Sequence, residues 1–142
     1  MKKNNIIQKI VLGAVIIKNK KILILQRSNN EKIFPGMWEL PSGKREFLEP
    51  SDVSLLREVK EETRLDVEII MPISIFDYQI KKEKEIRDST QINFLVRPIK
   101  NGGVKLSSEH QNYAWIEKKE LKKYKLSKAS EDVIKKTFSL LK

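Results

Sequence analysis

Glu58, Glu61 and Glu62 fall at i, i+3 and i+4 of the segment Ser51–Thr63, and this spacing constrains the chain more than anything else in it. Leu55, Leu56 and Val59 recur with helical spacing in the same segment and form an apolar stripe. Ser51 is the expected N-cap, and Asp52 suits the positive end of the helix dipole. A helix over these residues places the three carboxylates on one face. Like charges so placed cost a few tenths of a kcal/mol per pair, about 0.2–0.5. A divalent cation would offset that cost, although an acidic helix face is also what a merely solvated face looks like. Arg57 can pair with Glu61 four residues on or reach back to Glu49. The loop at Gly43 can bring backbone carbonyls to the same place.

The rest of the composition narrows the chemistry. The chain has no cysteine and one histidine, His110. This excludes disulfides, a thiol nucleophile, cysteine-ligated metals and any multi-histidine site. Carboxylates are the only abundant ligands, and they favour hard cations such as magnesium, manganese or calcium.

The 142 residues read as one α+β domain spanning 1–142, a mixed β-sheet between helices. Residues 11–17 and 22–26 are β-branched runs separated by Lys18-Asn19-Lys20-Lys21, a hairpin pattern. Residues 29–43 contain Pro35-Gly36 and Pro41-Ser42-Gly43 and read as loop, with a short extended piece at 38–40. Residues 67–79 and 90–99 read as strands joined by a charged segment at 81–88. Asn101-Gly102-Gly103 reads as a turn, 113–116 as a short strand, and 117–124 as one or two helical turns. Residues 127–141 form an amphipathic helix with Val133, Ile134, Thr137, Phe138 and Leu141 on one side.

No stretch approaches the ~20 apolar residues of a transmembrane helix, and no signal-peptide pattern is present, so the expectation is a cytoplasmic protein with no membrane partner. The net charge is +10, with 23 of the 29 cations lysine and spread along the chain. That distribution reads as a solvated surface. No basic run with interleaved aromatics argues for a nucleic-acid partner.

Residues 43–65 resemble the Nudix box, G-x5-E-x7-R-E-U-x-E-E-x-G-U with U aliphatic. Gly43, Glu49, Arg57, Glu58, Val59, Glu61, Glu62 and Leu65 match in register. The approach Pro35-Gly36-Met37-Trp38-Glu39-Leu40-Pro41-Ser42-Gly43-Lys44 is similar to the family's G-x-W-E-x-P-G-G-K. Two positions depart from the pattern. Arg64 replaces the late glycine, where a residue at positive φ would cost roughly 1 kcal/mol. Ser42 replaces the first glycine of the pair.

The resemblance implies an α/β/α sandwich and metal-dependent hydrolysis of a phosphoanhydride bond, with Mg2+ or Mn2+ as cofactor. By matching position, Glu58, Glu61, Glu62 and Glu109 would ligate metal with the Ser42 carbonyl. Glu49 and Arg57 would support them as an ion pair. Glu109 is favoured as the base that activates water, with Glu62 the competing assignment. His110 reads as a structural or exposed loop histidine rather than a general acid. Arg27 and Lys44 are candidate phosphate contacts. Trp38, with Phe34 and Met37, is a candidate base-stacking surface, and Ser130 stands where some relatives read the base with asparagine. The resemblance favours a MutT-like enzyme converting a nucleoside triphosphate to the monophosphate and pyrophosphate, as monomer or homodimer. Hydrolysis of ADP-ribose, coenzyme A or capped RNA, and non-catalytic nucleotide sensing, are the alternatives.

Overall fold

The structure is a computed structural model describing residues 5–141. Its strands are β1 (Asn5–Lys18), β2 (Lys21–Arg27), β3 (Trp38–Glu39), β4 (Ser42–Lys44), β5 (Val67–Lys81), β6 (Glu85–Pro98) and β7 (His110–Ile116). The helices are α1 (Ser51–Thr63), a 3-10 helix (Lys118–Lys123) and α2 (Lys128–Leu140). The strands form one mixed sheet in the order β3-β2-β1-β6-β5, with β4 added on β1 and β7 on β2. β1 and β6 run parallel over residues 5–16 and 85–96, and the other pairs are antiparallel.

The hairpin turn falls on Asn19 and Lys20, both at positive φ (51° and 63°), the backbone shape that matches the twist of the flanking strands. The β1 and β2 runs are almost uniformly apolar because both faces of the sheet are covered. Leu12, Ala14, Ile16, Leu23 and Leu25 pack under α1 against Leu55 and Val59. Val15, Ile22 and Ile24 point the other way and pack under α2 against Val133 and Ile134. Each such buried aliphatic contributes about 1.5–3 kcal/mol. The expected α+β sandwich is therefore the observed architecture.

Several local expectations are corrected. Ser51 is the first helical residue; the N-cap is Pro50, which has no side chain able to bond the helix amides. Leu56 is 38% exposed, so the buried stripe is narrower than its spacing suggests. β5 and β6 continue through most of the charged segment, and only Lys82 to Lys84 connect them, closed by Lys82 N–H donating to Glu85 O. Charged residues fit there because residues 81–84 are exposed and 85–88 only half-buried, so they keep solvent contact. Asn101 to Gly103 forms no turn and belongs to an irregular run ending at the Ser108-Glu109 turn. Leu141 is the C-cap of α2 and is 46% exposed. Among the described residues, no helix is long and apolar enough to cross a membrane.

Candidate active site

Helix α1 is aimed by its ends. At the C-terminal end Arg64 adopts the left-handed conformation (φ 65°, ψ 10°) and donates its N–H to Lys60 O. The chain thus makes the turn expected there, with arginine carrying the strain normally left to glycine. At the N-terminal side Arg57 Nε and Nη2 clasp Glu49 at 3.0 and 2.9 Å. Arg57 Nη1 also reaches Glu58 at 3.0 Å and Glu61 at 3.3 Å. Both pairings open to Arg57 in the sequence are therefore made at once. The guanidinium holds the Glu49 carboxyl down to about 2.

The acidic face of α1 lies against β4. Gly43 backs directly onto the Glu58 carboxylate, and a β-carbon at position 43 would collide with it. Beside it, Ser42 N–H donates to Glu62 Oε1 at 3.1 Å. Glu62 is 5% exposed. Burial pushes its carboxyl up to about 9, and the charges of Glu39, Glu109 and Glu58 add to the effect. Burial also raises Glu58, opposed by Arg57 and reinforced by Glu61 and Glu109. Glu109, carried on the turn before β7, is thus close enough for its charge to act on both Glu58 and Glu62. Glu109 is exposed, and its backbone carbonyl accepts from Ser28 N–H at 2.9 Å. Glu61 faces outward, with its side chain 58% exposed and its carboxylate turned to Arg57.

Several carboxylates are thus gathered around one, Glu62, that is shut off from water. Hard oxygen donors held together at a cost in carboxylate ionisation suit a divalent cation. Glu58, Glu62 and Glu109 could hold one with the Ser42 carbonyl.

Two neighbours complete the cluster: Glu39, to which the sequence reading gave no role, and His110, read as structural or exposed. His110 is the former: it opens β7, opposite Arg27 of β2, and is 5% exposed. Its Nε2 lies 2.8 Å from Glu39 Oε2, and its Nδ1 lies 3.6 Å from Glu62 Oε2. Glu39 is held in turn by Arg27 Nη1 at 3.3 Å. The pairing of His110 with Glu39 joins residues 71 apart in sequence, which no local pattern reveals.

A cleft of about 360 Å³ opens beside the cluster, lined by Arg27, Trp38, Glu39, Ser42, Gln91 and Ser130 among others. Three expected substrate contacts, Arg27, Trp38 and Ser130, thus meet in one place. Phe34 and Met37 line it too, with Phe76 and Tyr78 from β5. Trp38 is braced edge-on by Tyr124, with centroids 4.8 Å apart. The Ser130 side chain accepts from Ser127 Oγ at 3.1 Å at the start of α2. Gln91 was not foreseen. It donates Nε2 to Asn93 Oδ1 at 3.0 Å, and Asn93 donates to Ser74 Oγ at 3.1 Å. Lys44 does not line the cleft. It lies farther along the sheet, exposed, with its ammonium pKa lowered by partial burial and by Arg87, Lys9 and Lys82.

Known proteins share this arrangement of chain. The NUDIX domain family model matches residues 8–137. Nucleoside triphosphatase NudI of Klebsiella pneumoniae (strain 342) is 28% identical over 129 residues, covering 87% of this chain and 92% of that protein. The crystal structure of MutT protein from Methanosarcina mazei Go1 aligns with a TM-score of 0.78 at 26% identity, covering 98% of this chain and 96% of that one. A C. elegans Ap4A hydrolase shares the fold, with a TM-score of 0.73 at 23% identity over 94% of this chain and 97% of that chain. The family match runs through the hairpin, the Gly43 approach, the acidic helix and the cleft alike, and the chain accordingly belongs to the NUDIX family, as a Nudix hydrolase.

Proposed function

We propose that the protein hydrolyses a nucleoside triphosphate to the monophosphate and pyrophosphate in a reaction that needs a divalent cation, Mg2+ or Mn2+. The observation that carries this reading is the adjoining of two environments. A carboxylate cluster of buried Glu62, half-buried Glu58 and exposed Glu109 lies beside an aromatic-lined cleft of about 360 Å³. A polyphosphate cannot bind bare carboxylates, and a cation held by these residues would supply the positive charge that offsets the phosphates and the charge developing on the leaving group. The likeness to a nucleoside triphosphatase over 92% of that protein's length supports the substrate class.

The chain's own residues supply the rest. Glu58, Glu62, Glu109 and the Ser42 carbonyl hold the cation. Arg57, clasped by Glu49, fixes Glu58. Glu61, turned outward to Arg57, is a weaker member of the set. Trp38 and Phe34 offer the base a stacking surface, with Ser130 and Gln91 as polar contacts on its edge. Arg27, anchored by Glu39, lies at the cleft wall where phosphate oxygens pass. Glu109 accepts the proton of the attacking water. The competing Glu62 has Oε1 engaged by Ser42 N–H and Oε2 turned toward His110, whereas Glu109 is exposed.

The test is product analysis across a panel of phosphoanhydrides with Mg2+ and with Mn2+. The panel holds canonical and oxidised nucleoside triphosphates, ADP-ribose, dinucleoside polyphosphates, NADH and coenzyme A. Monophosphate and pyrophosphate from triphosphates alone is the expected result. Turnover only of ADP-ribose or coenzyme A would replace the substrate, and nucleotide binding with no turnover would make the domain a sensor.

A further inference from the structure

The chain of contacts Arg27–Glu39–His110 ends on a nitrogen with nothing to bond. Glu39, gripped by Arg27 at 3.3 Å, is the acceptor for His110 Nε2–H at 2.8 Å. In the neutral tautomer that makes this bond, the lone pair is on Nδ1. Nδ1 is buried and, among the described residues, has no hydrogen-bond partner. It faces Glu62 Oε2 at 3.6 Å, too long for a hydrogen bond. Two donors bound at about 2.1–2.2 Å to one cation, at roughly 90–109°, stand about 3.0–3.6 Å apart. The gap is the size of a shared ion. A carboxylate holding the far nitrogen of an imidazole is also how metal-binding histidines are oriented.

We infer that His110 Nδ1 is a direct ligand of the divalent cation, beside Glu62, with Glu39 as the positioning residue for the ring. The inference rests on the proposed cation site and adds a nitrogen to what family resemblance gives as an all-oxygen set. Imidazole favours first-row transition ions over magnesium, so the site takes Mn2+ and Co2+ in preference to Mg2+.

Because His110 is the only histidine in the chain, one spectrum decides the matter. Tag-free protein is titrated with Mn2+, and the bound ion is examined by electron spin-echo envelope modulation. The expected result is stoichiometric Mn2+ binding with the nitrogen modulation of a directly coordinated imidazole. Protein labelled with 15N only in histidine must then lose the 14N pattern. His110→Gln should weaken Mn2+ binding by roughly 10–100-fold and Mg2+ binding by less. If that variant does not fold, the isotope substitution in the wild-type chain still gives the answer. Bound Mn2+ with no histidine nitrogen coupling would overturn the ligand assignment and leave the cation site standing. No Mn2+ binding at all would overturn both.

Discussion

Gly43 and Glu58 occupy what would otherwise be one space: the carboxylate of α1 sits where a side chain at position 43 would begin. Helix and β4 can therefore approach until Glu58 touches backbone. Gly43→Ala should push Glu58 away and lower kcat on the order of 100-fold, since a displacement of about 1 Å can cost that much. Circular dichroism should show the fold retained. Activity within a factor of two of wild type would mean Glu58 has room to relax.

Arg57 spreads one guanidinium over Glu49, Glu58 and Glu61. Lysine keeps the charge but cannot make the two-pronged bond to Glu49. Arg57→Lys should weaken Mn2+ affinity by roughly 10–100-fold, read by isothermal titration. Unchanged affinity would show that Glu58 is held without it.

Glu49 and Glu62 pull the cation-free protein's stability in opposite directions with pH. Glu49 is held down to about 2 by Arg57. Its contribution is complete above its unfolded value near 4.5 and is lost as pH falls through about 2. Glu62 is raised to about 9 by burial. The native state holds its proton more tightly, so stability falls as pH rises from about 4.5 toward 9. In chelator, melting temperature should therefore peak in mild acid. Glu62→Gln should gain most over wild type near pH 8, with little change near pH 5. An equal gain at both values would contradict the shift.

Arg64 sits at φ 65° where glycine is unstrained. Arg64→Gly should stabilise the protein by up to about 1 kcal/mol in urea denaturation and leave kcat unaltered, since its side chain is exposed and does not line the cleft.

Gln91 has its amide fixed by the chain through Asn93 to Ser74. Asn93 fits because Gly13 has no side chain to meet it. Gln91→Leu should raise KM for the nucleotide about 5–30-fold with kcat nearly constant, the pattern of lost ground-state binding. A fall in kcat at constant KM would place Gln91 in the chemistry instead.

The hairpin and α1 were legible because their signals are local. A β-branched run, a lysine-rich turn and a helical period each lie within about 15 residues. Gly43 through Leu65 was legible for the same reason. Glu39, Gln91 and His110 were not, because they come from β3, β6 and β7 and meet only when the sheet assembles. The strand ends at residues 80–81 and 85–89 hid behind their charges, which sheet hydrogen bonding tolerates where a face stays wet. Ser51 looked like a cap by residue type, but Pro50, with its fixed φ, takes the half-helical position first.

The proposed cation-dependent nucleotide hydrolysis rests on carboxylates gathered around buried Glu62 beside an aromatic cleft. The most direct measurement is pyrophosphate release from nucleoside triphosphates during a Mg2+ and Mn2+ titration, for wild type and Glu62→Gln side by side. The expected result is turnover that rises with cation, vanishes in chelator and falls by at least about 100-fold in the variant. Turnover that persists in chelator, or that Glu62→Gln leaves intact, would contradict it.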